Sequence, residues 1–104
     1  MIQTINFKSL EDWYLQQCNG IWEHSYGIKI RTLDNPGWHV TICLEDTALE
    51  NKDIKPIIEE RAEDDWIHCK VLDNKFNGHG GPKNLNEIIE VFLSWAKKCE
   101  LLKQ

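Results

Sequence analysis

Four histidines, four cysteines and two groups of carboxylates are the side chains with chemistry to offer in this 104-residue sequence. Histidine titrates near neutral pH and serves as a general base or metal ligand, so His24, His39, His68 and His79 are the first candidates. Strand alternation puts His39 and His68 on the outer face of a sheet, with Lys29, Arg31 and Lys70 nearby. Cys43 falls on that same face. A Cys/His arrangement suits acyl or sulfur transfer. This one carries no nucleophile signature, and an open sheet face excludes water poorly. Cys18, Cys43, Cys69 and Cys99 include no C-x-x-C pair, the close ligand spacing that zinc sites use. They read as reduced thiols acting as small hydrophobes. Neither a metal nor a cofactor is expected.

Glu45, Asp46, Glu50 and Asp53 form one acidic group; Glu59, Glu60, Glu63, Asp64 and Asp65 form the other. Paired acids hydrolyse glycosides only where they flank a cleft. In loops they are solvated, or they steer a cationic partner and raise its association rate. The segment Asn77-Gly78-His79-Gly80-Gly81-Pro82 precedes a helix and invites comparison with an anion cradle. It lacks the G-x-x-x-x-G-K-[ST] spacing of a phosphate loop. A tight structural loop, with Asn84 as helix cap, accounts for it. Among the tryptophans, Trp13 and Trp95 fit helical core stripes. Trp22 and Trp66 instead open strands beside acids, as an interface anchor or an aromatic lid on the sheet would.

The elements that must position these groups follow from periodicity. Ser9 with Asp12 resembles a capping box. Leu10, Trp13, Tyr14 and Cys18 then form a helical stripe that Asn19-Gly20 ends. Trp22 to Val40 reads as a β-hairpin around Asp34-Asn35-Pro36-Gly37, with Pro36 and Gly37 as the central pair of a type II turn. Tyr26, Ile28 and Ile30 alternate with polar residues, as do Trp38, Val40, Ile42 and Leu44. Ile54 to Ala62 fits a helix or a strand, and Pro56 favours the strand. Glu63-Asp64-Asp65 turns into a strand at Trp66 to Leu72, with Ile67, Cys69 and Val71 inward. Asn84 and Glu87 cap a last helix striped by Leu85, Ile88, Ile89, Phe92, Trp95, Ala96, Cys99 and Leu102. Lys97, Lys98 and Lys103 sit near its C-terminal end, where the helix dipole favours cations. The expected fold is α+β: a four-stranded antiparallel sheet with N-terminal and C-terminal helices packed on one face, all in one domain over 1–104.

A net charge of −5 disfavours nucleic acid, whose binding depends on cations meeting phosphates. No stretch approaches the roughly 20 apolar residues of a membrane span. The first residues lack the basic and apolar regions of a secretory signal, which makes the cytoplasm the expected location.

Several strings, taken together and in order, resemble the immunity protein 53 family of bacterial polymorphic-toxin systems. They are Trp13-Tyr14, Trp22 through Trp38, Asp65-Trp66 with Cys69, Phe76 through Pro82, and Asn84-Leu85 through Trp95. The resemblance implies a non-enzymatic, cytoplasmic antidote, monomeric or weakly dimeric. Its partner would be a cognate toxin domain, basic and often a nuclease, blocked at or beside its active site. The contact residues expected on that basis are Glu23, His24, Tyr26 and Asp34 in the hairpin motif, with Glu63, Asp64, Asp65 and Trp66 as an acidic edge. The competing expectations are an enzyme built on Cys43 with His39 or His68, and a ligand-binding module on the outer sheet face. The module requires a concavity there.

Overall fold

The computed structural model describes residues 7–101. Leu102 and Lys103 of the expected last helix lie outside the described residues. In chain order the elements are α1 (Phe7–Gln17), α2 (Trp22–Ser25), β1 (Ile28–Leu33), β2 (Gly37–Cys43), β3 (Ile57–Ala62), β4 (Asp65–Leu72), β5 (Lys75–Gly80) and α3 (Leu85–Leu101). The strands form one sheet of order β1-β2-β5-β4-β3, antiparallel at every pairing.

The fold class is α+β with an antiparallel sheet, but the sheet has five strands where four were expected. The extra strand is β5, at the centre of the sheet, in the segment read as a glycine loop. Its glycines serve close approach. A Cβ on Gly78 would overlap the Ile88 side chain, and one on Gly80 would lie 2.8 Å from Ile88 Cδ1. Glycine inside a strand commonly marks such an approach by another element. With those glycines beneath it, α3 settles onto the sheet and buries Ile88, Ile89, Phe92, Trp95 and Ala96. From below, Val40, Ile42, Phe76, Ile67 and Cys69 close the core. At the other end of β5, Asp73 and Asn74 both take positive φ (54° and 57°) in the two-residue hairpin turn joining it to β4. Primed turns require that geometry, and Asp and Asn tolerate it.

Other expectations shift locally. Ser9 lies inside α1 and is not its cap. The helix docks on α3 through Trp13, whose ring meets Phe92 edge-on at 5.0 Å. Trp22 opens no strand; it sits in the short helix α2, 1% exposed, and its indole N–H donates to the Glu45 carbonyl at 2.9 Å. The β1–β2 turn contains a cis Asn35–Pro36 bond. Gly37 begins β2 paired with Leu33 and takes no left-handed φ. It is needed because a Cβ there would overlap the Gly80 carbonyl oxygen. The ambiguous stretch is a strand from Ile57, as Pro56 favoured, and it forms one sheet edge.

Candidate functional site

Strand register decides which of the expected contact residues meet. Trp38, Gly80, Ile67 and Glu59 share one row across β2, β5, β4 and β3, so the β1–β2 and β3–β4 turns emerge at the same end of the sheet. Asp34, Glu63, Asp64, Asp65 and Trp66 therefore gather there. Glu23, His24 and Tyr26 precede β1 and lie at the opposite end, roughly 17 Å away over the five steps from Ile28 to Leu33.

The far group is tied into the scaffold. Glu23 accepts hydrogen bonds from the Asn19 and Gly20 amides at 2.9 and 2.8 Å. Asn19 in turn accepts from the Ile21 and Trp22 amides, and together these bonds pin the α1–α2 junction. Backbone N–H groups hold the Glu23 carboxyl below the usual range. Tyr26 is half-buried against the core, its ring 6.3 Å from that of Trp22, and His24 is exposed.

At the turn end the acids divide into two kinds. Asp65 accepts from Arg61 at 3.0 and 3.1 Å and from the Asn84 amide at 2.9 Å, and these bonds, Arg61's above all, pull its carboxyl below the ordinary Asp value. Arg61 also reaches Glu59 at 3.0 Å and Glu87 at 2.6 Å, joining β3 to the first turn of α3. Asn84, 4% exposed, accepts from the Trp66 amide at 3.2 Å and donates to Glu87 at 3.0 Å. It precedes α3 and pairs with Glu87 of that helix, and its side chain also clasps Asp65 and Trp66 of β4. Glu63 and Asp64 are exposed, and among the described residues Asp64 has only a long contact to Lys83 at 3.8 Å.

On the face away from α3, a second row runs across all five strands: Arg31, His39, His79, His68 and Ile58. The His39 and His79 rings stack at 4.0 Å with their planes 14° apart. Asn77 donates its amide to the Lys75 carbonyl, which turns its Oδ1 toward His39 Nε2 at 3.4 Å. Thr41 lies 3.2 Å from the same nitrogen, while His39 Nδ1 is buried without a partner among the described residues. Burial first, then charge interactions with His39, His68, Lys70 and Arg31, push His79 below the ordinary histidine value. His68 meets Glu60 at 3.0 Å and the edge of Trp66 at 5.3 Å. His79 was missing from the expected face because its strand was read as a loop; Asp73-Asn74 between Val71-Leu72 and Lys75-Phe76 was the available turn signal.

The face is concave. A cavity of about 620 Å³ is floored by His68, His79 and Lys70, walled by Pro56, Ile58 and Trp66, and overhung by Leu33, Asp34 and Asn35 from the β1–β2 turn. Ile58 is 69% exposed along it. The size is within the range of small-ligand and side-chain pockets.

A Cys/His nucleophile finds little support in this geometry. Cys43 lies four residues from His39 along β2, roughly 13 Å at strand rise, and it is buried. Burial, with a smaller contribution from Glu87, pushes the Cys69 thiol up to about 12, which keeps it protonated and unreactive. Among the described residues, no group of three or more His, Cys, Asp or Glu side chains could hold a metal ion. No helix among them is long and apolar enough to cross a membrane.

The fold and site together define a small α+β domain with an open sheet face and acidic turns at one end. The family model described as immunity protein 53 matches residues 7–97, and the chain belongs to that family. No curated protein and no solved structure matches the chain at a significant level.

Proposed function

We propose that the protein is a cytoplasmic antidote that binds a cognate bacterial toxin and neutralises it by covering the active site or the surface beside it. Family membership carries this reading. The contact surface we assign is the turn end of the sheet: Glu63, Asp64 and Asp34, with Trp66 as the aromatic anchor. The support for that choice is their exposure and shared location, beside a tryptophan already half-buried by its own fold. A partly preburied aromatic loses little conformational freedom on binding, and such residues dominate interface energetics. Glu23 and Asp65 are better explained as scaffold, since each is engaged by several internal hydrogen bonds. A basic toxin, as nuclease domains often are, would be steered by the acids toward the anchor.

Co-expression with a candidate cognate toxin domain, identified by its toxicity in the absence of this chain, tests the assignment. Glu63→Lys with Asp64→Lys is expected to weaken binding at least tenfold and abolish protection while leaving the melting temperature within a few degrees. Full protection by a folded double variant would remove the acidic turn from the contact surface.

A further inference from the structure

The open face poses a separate electrostatic problem. The chain is acidic overall, at −5, yet Lys29, Arg31 and Lys70 are exposed on this face together with three histidines. Among the described residues, the salt bridges join Lys8 to Asp12, Arg61 to three acids, His68 to Glu60 and Lys83 to Asp64; none involves Lys29, Arg31 or Lys70. Seventeen acids are present to pair with twelve Lys and Arg. Lys70 lines the cavity and Arg31 stands at the β1 end of the histidine row, neither with an ion-pair partner among the described residues; beside the apolar wall they are complementary to an anion that carries an apolar group.

We propose that the open sheet face binds a segment of the partner toxin in which carboxylates flank an apolar side chain. The carboxylates meet Lys70, Arg31 and the histidine row; the apolar side chain enters the cavity against Trp66, Ile58 and Pro56. This rests on the antidote reading and adds a second, oppositely charged contact to the acidic turns. A polypeptide suits the face better than a nucleic acid. Asp34, Glu60 and Glu63 border the cationic centre and would repel a continuous phosphate backbone crossing it. A protein can instead set its acids over the centre and its bases over the rim.

Bound carboxylates would also relieve the crowding of positive charge around His79. Its neighbours are His39, His68, Lys70 and Arg31, with Glu60 reached through His68 and Asp34 across the cavity. Binding is therefore linked to proton uptake and strengthens as pH falls below neutral, while the partner's carboxylates remain ionised.

The test is a nuclear magnetic resonance titration of the whole chain with the peptide Glu-Glu-Leu-Glu-Glu, in parallel with Lys-Lys-Leu-Lys-Lys and a single-stranded oligonucleotide. The acidic peptide is expected to give saturable shifts at Arg31, His68, Lys70, His79 and the Trp66 indole. Its affinity should rise several-fold from pH 7.5 to 6, and fall at least tenfold in Arg31→Glu with Lys70→Glu. Absence of saturable shifts at millimolar peptide, shifts confined to α1 and α3, or tighter binding of the oligonucleotide to the same residues would each overturn the proposal. Toxin binding separates it from the antidote reading. If Arg31→Glu with Lys70→Glu binds the toxin like the unmodified chain, the open-face contact fails and the antidote reading stands. If the unmodified chain does not bind the toxin, the antidote reading itself fails.

Discussion

The sheet face beneath α3 holds Val40, Ile42, Ile67, Cys69 and Phe76, each at most 2% exposed, whereas the opposite face sets Arg31, His39, His79 and His68 side by side toward solvent. The two faces alternate along the same strands, so their difference is a matter of side chain alone. One face excludes charge and is held by packing. The other gathers Lys29, Arg31 and Lys70, which have no ion-pair partner among the described residues, around a row in which His68 meets Glu60. Such a surface contributes little to folding, because exposed like charges a strand apart repel or, at best, ignore each other. What distinguishes it is its readiness for a partner, and stability and recognition should therefore respond to different substitutions.

The strongest challenge to that division is Phe92→Ala. Phe92 is fully buried, and its ring meets Trp13 at 5.0 Å, Phe76 at 5.3 Å and Trp95 at 6.1 Å. Truncation should cost about 3–5 kcal/mol of unfolding free energy in a urea titration. A cost below about 1 kcal/mol would mean that α3 does not anchor the covered face. Next comes Asn84→Ala, which strips the Trp66 amide of its acceptor and frees Asp65 and Glu87 from a buried donor. A loss of about 2 kcal/mol is expected.

Acidification should separate the faces in a third way. His79 is depressed below its ordinary value, so its contribution to stability is complete above about pH 6.5 and is lost as pH falls through its lowered folded value. Asp65 is depressed too; its contribution is complete above about pH 4 and is lost as pH falls through its own lowered value. Stability followed downward from pH 8 should decline in two stages, and His79→Gln should flatten only the first. The smallest effect is expected from Arg31→Glu with Lys70→Glu, within about 0.5 kcal/mol per site, since both side chains are exposed and make no ion pair among the described residues.

Much of this organisation was legible in the sequence, for physical reasons that also explain the gaps. The α3 stripe and the alternation along β4 were readable because burial there follows the period of each element. The edge strand β3 was recoverable because Pro56 argues against a helix. β5 was not, since its glycines report on what lies above them, the Ile88 side chain, and no local pattern encodes that approach. Losing β5 removed His79 from the row and left His39 and His68 two strands apart with nothing between them. Trp22 misled in the opposite direction: an aromatic beside Glu23 looked like an interface anchor. Its neighbour's charge is spent on the Asn19 and Gly20 amides, and the indole itself is core.

The most direct examination is amide hydrogen exchange on the complex with a toxin domain that the chain neutralises. Slowed exchange at the β1–β2 turn, the β3–β4 turn and the first half of β4, with α1 and the exposed side of α3 unchanged, is the pattern this account requires. Protection concentrated on the two helices, with the histidine row exchanging as in the free protein, would contradict it.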